Sequence, residues 1–292
     1  LKPNFLLIGA MKAGTTSLDQ YLAQHPEIFV CPLKEPHYFS TQAIFDKGAD
    51  WYRGLYADAA DGQVIGEAST SYTRYPVSAE APARMRAANP DMKLVYVLRE
   101  PVSRVESECL QTMKYAANVA GLTHIPQTVD AMLDYLTGDG ADLCTDPVIA
   151  SEYVRQIEVF LEEFPRDQLC VILQEDLNAA PRETMTAVFA HLGVDAAFEV
   201  DVSTRLNDSA SFVAGLKEQQ SLSTLQRLPG YAIFKQLAPA GGKAMIKSWF
   251  SSRASDADYR LSPERRTILK AHFKEHNKRL AAFLERDLSH WD

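Results

Sequence analysis

Apolar residues in this chain gather in short unbroken runs with helical spacings between them. Phe5-Leu6-Leu7-Ile8, Val64-Ile65, Leu94-Val95-Tyr96-Val97-Leu98 and Leu169-Cys170-Val171-Ile172-Leu173 read as buried strands. A strand covered on both faces has no need of alternating polar positions. Thr15-Thr16-Ser17 opens a helix with Leu18, Tyr21 and Leu22 on one face. A helix from about Arg182 to Leu192 stops at Gly193, a glycine cap, and Ser262, Pro263 and Glu264 form a well-made start for the last helix. Strands alternating with helices predict an α/β fold with a central, mainly parallel sheet flanked by helices. Residues 118–150 and 203–260 are the least regular. The first is rich in Gly, Asp and Thr over Thr137–Asp146; the second has turns at Leu228-Pro229-Gly230 and Pro239-Ala240-Gly241-Gly242.

Composition is that of an ordinary globular protein, with 46% hydrophobic and 23% charged residues, which argues against disorder. A length of 292 residues is large for one domain, yet α/β folds of this size are often one unit, and one domain over 1–292 is expected. Cys31, Cys109, Cys144 and Cys170 show no C-x-x-C spacing and read as buried thiols of a reducing compartment. No stretch reaches membrane-spanning length, and Leu1-Lys2-Pro3 does not begin a signal peptide. A cytoplasmic protein, or a domain cut from a longer one, is the expectation. The net charge of −8 argues against nucleic acid and other polyanions as partners. A density of basic residues appears only in the C-terminal third, at Arg260, Arg265, Arg266, Lys270, Lys274, Lys278 and Arg279, where Glu264, Glu275 and Glu285 make a solvated helix face the simpler reading.

The chemistry begins at Gly9-Ala10-Met11-Lys12-Ala13-Gly14-Thr15-Thr16-Ser17. A strand, a glycine-bounded turn and a helix start form an anion cradle, because helix-start N–H groups and the helix dipole both favour negative charge. A nucleotide-triphosphatase loop carries lysine directly after its second glycine. Here Thr15 stands at that place and Lys12 lies inside the loop. The cation can thus face a phosphate-linked leaving group without a metal. At the end of the third apolar run stands Arg99, followed by Pro101, Arg104, Ser107 and Glu108. Ligands of open α/β sheets bind beyond the carboxyl ends of strands, so Arg99 and Lys12 should converge on one crevice. A planar guanidinium suits a phosphate dianion.

The loop and the L-R-x-P-x-x-R-x-x-S pattern around Arg99 resemble the sulfotransferases that use 3′-phosphoadenosine 5′-phosphosulfate (PAPS), in particular bacterial members related to the heparan-type enzymes. Lys34-Glu35-Pro36-His37-Tyr38-Phe39 looks like their K-E-x-H-[YF]-F segment, Gly66 to Tyr72 like a further segment, Ser151 to Leu177 like a helix, turn and strand, and Phe283 to Trp291 like the bacterial terminus. The resemblance implies a P-loop-like three-layer fold. It also implies that Lys12, Ala13, Gly14, Thr15, Thr16 and Ser17 hold the 5′-phosphosulfate, and that Arg99 and Ser107 hold the 3′-phosphate. Glu35 would be the base that deprotonates an acceptor hydroxyl, with His37 assisting and Lys12 neutralising the departing oxygen. Asn207 would belong to a late loop over the nucleotide, although Ala210-Ser211-Phe212 replaces the usual glycine and basic residue. Tyr153 would line the acceptor or adenine side, or pack. Ala68 stands where heparan-type members often carry lysine.

The implied reaction is in-line sulfuryl transfer that releases adenosine 3′,5′-bisphosphate (PAP) and needs no metal. The implied acceptor is a hydroxyl on a small molecule, natural product or carrier-bound hydroxyacyl chain, with no nucleic-acid or membrane partner. Segments 118–150 and 203–260 would form an acceptor lip or a lid. Two other readings stand beside this one: a P-loop kinase or nucleotide hydrolase, which needs an acidic Mg²⁺ ligand where Arg99 stands, and a silent nucleotide-binding module.

Overall fold

A computed structural model describes residues 2–118, 126–138, 146–203 and 256–292. Among these residues, five strands form one parallel sheet: β1 (Phe5–Gly9), β2 (Ile28–Val30), β3 (Val64–Ala68), β4 (Lys93–Leu98) and β5 (Leu169–Leu173). Their order across the sheet is β2-β3-β1-β4-β5, and helices flank it, as the alternation of strand and helix signals requires. Registers run Phe5 to Gly66 and Leu6 to Glu67 on one side of β1, and Phe5 to Lys93 and Leu6 to Leu94 on the other. Every side chain from Leu94 to Leu98 is fully buried, the physical origin of the unbroken apolar run.

Among the described residues the α-helices are α1 (Thr15–Leu22), α2 (Gln42–Phe45), α3 (Gly48–Gly54), α4 (Ala81–Ala88), α5 (Pro101–Asn118), α6 (Val129–Thr137), α7 (Tyr153–Leu161), α8 (Gln174–Ala179), α9 (Pro181–Leu192) and α10 (Pro263–Leu284). The buried face of α1 is Thr15, Leu18, Tyr21 and Leu22. Helix α9 ends at Gly193 with φ 80°, and the Ser262 hydroxyl accepts the Arg265 N–H at 3.3 Å to cap α10. Glu100 caps α5 by accepting the N–H groups of Val102 and Ser103 at 2.9 and 2.7 Å.

No sequence pattern marks β2 at Ile28–Val30, a three-residue edge run too short to show a period. Residues 118–150, irregular by sequence, contain α6. Val129, Met132, Leu133 and Leu136 are buried at helical spacing, and the Thr128 hydroxyl accepts the Ala131 N–H at 3.2 Å. The basic residues of α10 are drawn into ion pairs with other elements, Arg266 with Glu106 at 2.8 Å and Arg279 with Glu158, rather than only with glutamates of their own helix. Cys31 and Cys109 are buried and Cys170 half-buried; burial pushes the Cys31 and Cys170 thiols up to about 11. Cys144 lies outside the described residues. Among the described residues, no helix is long and apolar enough to cross a membrane.

The chain divides into two compact units. The first comprises Leu1–Arg104, Val148–Leu206 and Lys270–Asp292 and contains the whole sheet. The second comprises Val105–Pro147 and Asn207–Leu269 and takes in most of the two stretches that the sequence marks as irregular. Within it, Asp130 accepts the Ser262 N–H at 3.0 Å and Glu106 accepts the Leu261 N–H at 2.9 Å.

The turn out of β1 depends on Gly9, whose φ is 142° and where a Cβ would stand 2.2 Å from the Thr73 hydroxyl oxygen. That hydroxyl donates to the Ile8 carbonyl at 3.0 Å, so it has little room to retreat. Gly9→Ala is expected to lower stability by about 2–4 kcal/mol, from backbone strain and overpacking together, as read in urea unfolding of the variant against the parent.

Candidate active site

The site starts where β1 ends. Ala10 donates its N–H to the Val97 carbonyl of β4 at 2.7 Å, which draws the loop across the neighbouring strand end. Lys12 follows in a left-handed backbone, φ 68°, a conformation that costs a non-glycine residue about 1–3 kcal/mol. Its carbonyl accepts Nη1 of Arg99 at 3.1 Å. The preceding carbonyl, of Met11, accepts Nη1 of Arg104 at 3.3 Å. Arg104 is buried and its Nε donates to Ser151 at 2.7 Å. An arginine on each of two successive carbonyls fixes the loop and keeps those acceptors from facing an incoming anion. Gly14, φ 100°, then turns the chain into α1.

Of the loop residues singled out by sequence, Ala13 is turned inward: its side chain is fully buried and its N–H bonds the Ala10 carbonyl at 3.1 Å. Thr15 is buried, while Thr16 and Ser17 are half-buried on the first turn of α1. Thr16 Oγ1 accepts Nζ of Lys34 at 3.1 Å. This contact ties the phosphate-loop helix to the segment that carries Glu35 and His37.

That segment is also held in a left-handed backbone, with φ 53° at Glu35 and 54° at His37. Lys12, Glu35 and His37 are three of the four non-glycine residues with positive φ among those described. Such strain persists only where the surroundings over-determine it. Here the next two residues, Tyr38 and Phe39, are driven into the core: Tyr38 stacks on Tyr52 at 4.1 Å between centroids, and Phe39 packs edge-on to it at 5.2 Å. The loop after β3 completes the grip. Thr70 donates its hydroxyl to Glu35 Oε2 at 2.9 Å, and Ser69 accepts the His37 N–H at 3.0 Å. Ser71 lies 2.7 Å from His37 Nδ1 and 2.6 Å from the Ser40 hydroxyl. The other ring nitrogen, Nε2, stands 3.7 Å from Glu35 Oε2. Burial holds the His37 imidazole below its usual pKa, against the pull of Glu35 and with that of Arg74, so the ring is neutral at neutral pH.

Arg99 is held through its own backbone. The Tyr153 hydroxyl donates to the Arg99 carbonyl at 2.6 Å and accepts its N–H at 3.4 Å. Tyr153 is only 2% exposed, against Tyr96 and Trp291, so it packs and positions rather than lining a ligand surface. Ser107 is half-buried on α5 and belongs to the second unit. Asn207 lies outside the described residues. The sequence assigns no role to Lys34, Thr70, Ser71 or Arg104. Lys34 is the first residue of the quoted K-E-x-H motif, Arg104 the second arginine of the L-R-x-P-x-x-R-x-x-S pattern, and Thr70 and Ser71 stand in the hydroxyl run after β3, so a local signal exists for all four.

Beneath the loops lies a carboxylate that sequence reasoning passed over. Glu67 on β3 is 1% exposed. Its Oε1 accepts the hydroxyls of Tyr72 and, at 3.2 Å, Tyr52, while Oε2 is buried without a hydrogen-bond partner. Desolvation pushes Glu67 up to about 7, opposed by the neighbouring hydroxyls of Tyr72, Ser69 and Tyr52.

A model of the sulfotransferase family matches residues 3–199. Human heparan sulfate glucosamine 3-O-sulfotransferase 3B1 is 32% identical over 192 residues, 66% of this chain and 46% of that protein. Mouse heparan sulfate glucosamine 3-O-sulfotransferase 6 is 31% identical over 193 residues, 66% of this chain and 52% of its own length. The chain thus spans about half the length of the curated relatives it matches. A crystal structure of a sulfotransferase from Alicyclobacillus acidocaldarius shares the fold, with a TM-score of 0.70 over 100% of this chain and 99% of that one at 24% identity.

Because Glu67 is neutral in the fold up to about pH 7 but ionises near 4.5 in the unfolded chain, it lowers stability progressively as pH rises between those values. Glu67→Gln keeps an acceptor for the two tyrosines and removes the titration. The stability of this variant relative to the parent should therefore rise from pH 4.5 to 7 and level off above, as followed by urea unfolding across that range.

Proposed function

The chain belongs to the sulfotransferase family, and on that premise we propose that it transfers a sulfuryl group from PAPS to an acceptor hydroxyl. The observation that carries this reading is the convergence at one sheet edge of Lys12 and Arg99, 3.1 Å apart through the Lys12 carbonyl, with Glu35 and His37 linked to the same loop through Lys34 and Thr16. The residues fit the donor. A strained lysine inside the loop and the first-turn N–H groups of α1 suit a phosphosulfate, and Arg99 beside them suits a second phosphate. Ser107 and Asn207 are proposed as further nucleotide contacts.

In the step, the acceptor oxygen forms a bond to sulfur as the bond from sulfur to the bridging phosphate oxygen breaks, and PAP leaves. Glu35 takes the acceptor proton; the Thr70 hydroxyl on Oε2 fixes its carboxylate. Neutral His37, oriented at Nδ1 by Ser71, orients the acceptor beside Glu35. Lys12 neutralises charge on the leaving oxygen. Positioning and fixed charge supply the acceleration, as in phosphoryl transfer, and the step calls for no metal. The relatives' names specify heparan sulfate glucosamine. For this chain a hydroxyl of a small molecule or carrier-bound chain is favoured instead, since its net charge is −8 and Ala68 stands where heparan-type members often carry lysine.

The first test is calorimetric titration with PAP in the absence of metal, beside ATP with Mg²⁺. Tight metal-independent binding of PAP is expected; binding of Mg²⁺-ATP only would return the chain to the kinase reading. Arg99→Ala should weaken PAP by about 1.5–3 kcal/mol, the worth of a charge-assisted hydrogen bond, and unaltered affinity would remove Arg99 from the nucleotide site. Glu35→Gln should leave PAP binding intact and slow turnover about 100-fold or more; unchanged turnover would sink its role as base.

A further inference from the structure

Away from the site just described, three side chains of the sheet-bearing unit form a cluster that the transfer reaction does not use. Glu152 directly precedes α7 and is buried, whereas His272 and His276 stand four residues apart on α10. That spacing puts both rings on one face, where they stack at 5.3 Å between centroids with 25° between planes. Both present Nε2 to the same oxygen. His272 Nε2 lies 3.1 Å from Glu152 Oε1 and His276 Nε2 lies 3.8 Å from it, and all three ligand atoms fall within 4.8 Å of one another.

Hydrogen bonding accounts for only part of this arrangement. One imidazole can donate to Oε1 at 3.1 Å; the second, at 3.8 Å, is too far. Nδ1 of His276 is buried without a hydrogen-bond partner, so Nε2 is the nitrogen this ring directs at another group. At 3.8 Å that Nε2 faces Glu152 Oε1 without a hydrogen bond, and a cation between them would use both atoms. Ligands about 2.0–2.1 Å from a tetrahedral zinc stand roughly 3.3 Å from one another, and the observed 3.1 and 3.8 Å bracket that edge.

We propose that Glu152, His272 and His276 bind one divalent transition-metal ion of the zinc class, with two imidazole ligands, one carboxylate ligand and a remaining position for water. Glu152 serves through Oε1, because Oε2 holds Nη1 of Arg155 at 3.1 Å. The positive charge of Arg279 is already matched by Glu158, and that of Arg155 by the same Glu152 carboxylate. The ion takes no part in sulfuryl transfer. It fastens the start of α7 to the last helix, one residue from Tyr153, whose hydroxyl holds both backbone polar groups of Arg99.

The test uses the full chain after chelator treatment. Titration with ZnCl₂ should show one site per chain, and zinc should raise the melting temperature by several degrees. His272→Ala and His276→Ala should each weaken zinc at least tenfold and abolish the thermal shift. CoCl₂ should give visible absorption bands that disappear in the double histidine variant. Glu152→Gln should act like the histidine variants. Because Glu152 is buried and that variant could fail to fold, the half-buried His276 and exposed His272 carry the decision. Zinc affinity unchanged by either histidine variant, or no zinc binding and no cobalt bands, would overturn the site. PAP titration of the metal-free parent separates this outcome from failure of the proposed function, because it reads the nucleotide site independently.

Discussion

A parallel ladder brings the carboxyl ends of its strands to one edge, and the candidate active site hangs on that constraint. Strand β1 is paired on both sides, with β3 and with β4, so the chain must leave it by a turn squeezed against both neighbours. The order β2-β3-β1-β4-β5 reverses direction about β1, which opens a crevice between the ends of β1 and β4. Lys12 leaves from one lip and Arg99 from the other. The hydrogen bond from Arg99 to the Lys12 carbonyl is what that adjacency looks like in side-chain terms.

The site loops are strained and need anchors elsewhere. Left-handed backbone at Lys12, Glu35 and His37 is unfavourable in isolation, and two different devices hold it. For Lys12 the device is arginine hydrogen bonding to successive carbonyls. For Glu35 and His37 it is burial: Tyr38 and Phe39 enter an aromatic cluster with Tyr52 and Tyr72, where the ring contacts outweigh the backbone cost. The same cluster encloses Glu67, whose desolvation subtracts from stability near neutral pH. A carboxylate so placed makes the floor of the site rigid and polar at once, since Tyr52 and Tyr72 both converge on one of its oxygens.

The shells around the proposed catalytic groups are mostly hydroxyls. Thr70 holds Glu35, and the line from Ser40 through Ser71 to His37 fixes the ring on its Nδ1 side. Hydroxyls rotate to donate or accept, so this shell fits Glu35 whether charged or carrying a proton, as a general base requires over a cycle. Tyr153 acts at longer range through the backbone of Arg99, and it is the residue that couples the strand end to α7 and to Trp291.

The sequence by itself determined the parallel sheet and the identity of the loop residues. Unbroken apolar runs such as Leu94 to Leu98 have one reading once helices separate them, and the glycine frame from Gly9 to Gly14 is a local signal. Lys12, Glu35 and Arg99 stand out as candidates for the same reason, each sitting in a short pattern of neighbours. Strand β2 and helix α6 were missed, the first too brief to show a period and the second because its Gly/Asp-rich flank masked a clear buried face. Tertiary structure decided what no local pattern carries: that Arg104 reaches Met11, that Lys34 bridges to Thr16, that Glu67 is sealed among tyrosines, and that Glu152 meets His272 and His276 across 120 residues of chain. Those contacts join residues far apart in sequence, and only the packing of strands and helices brings their side chains within a few ångströms.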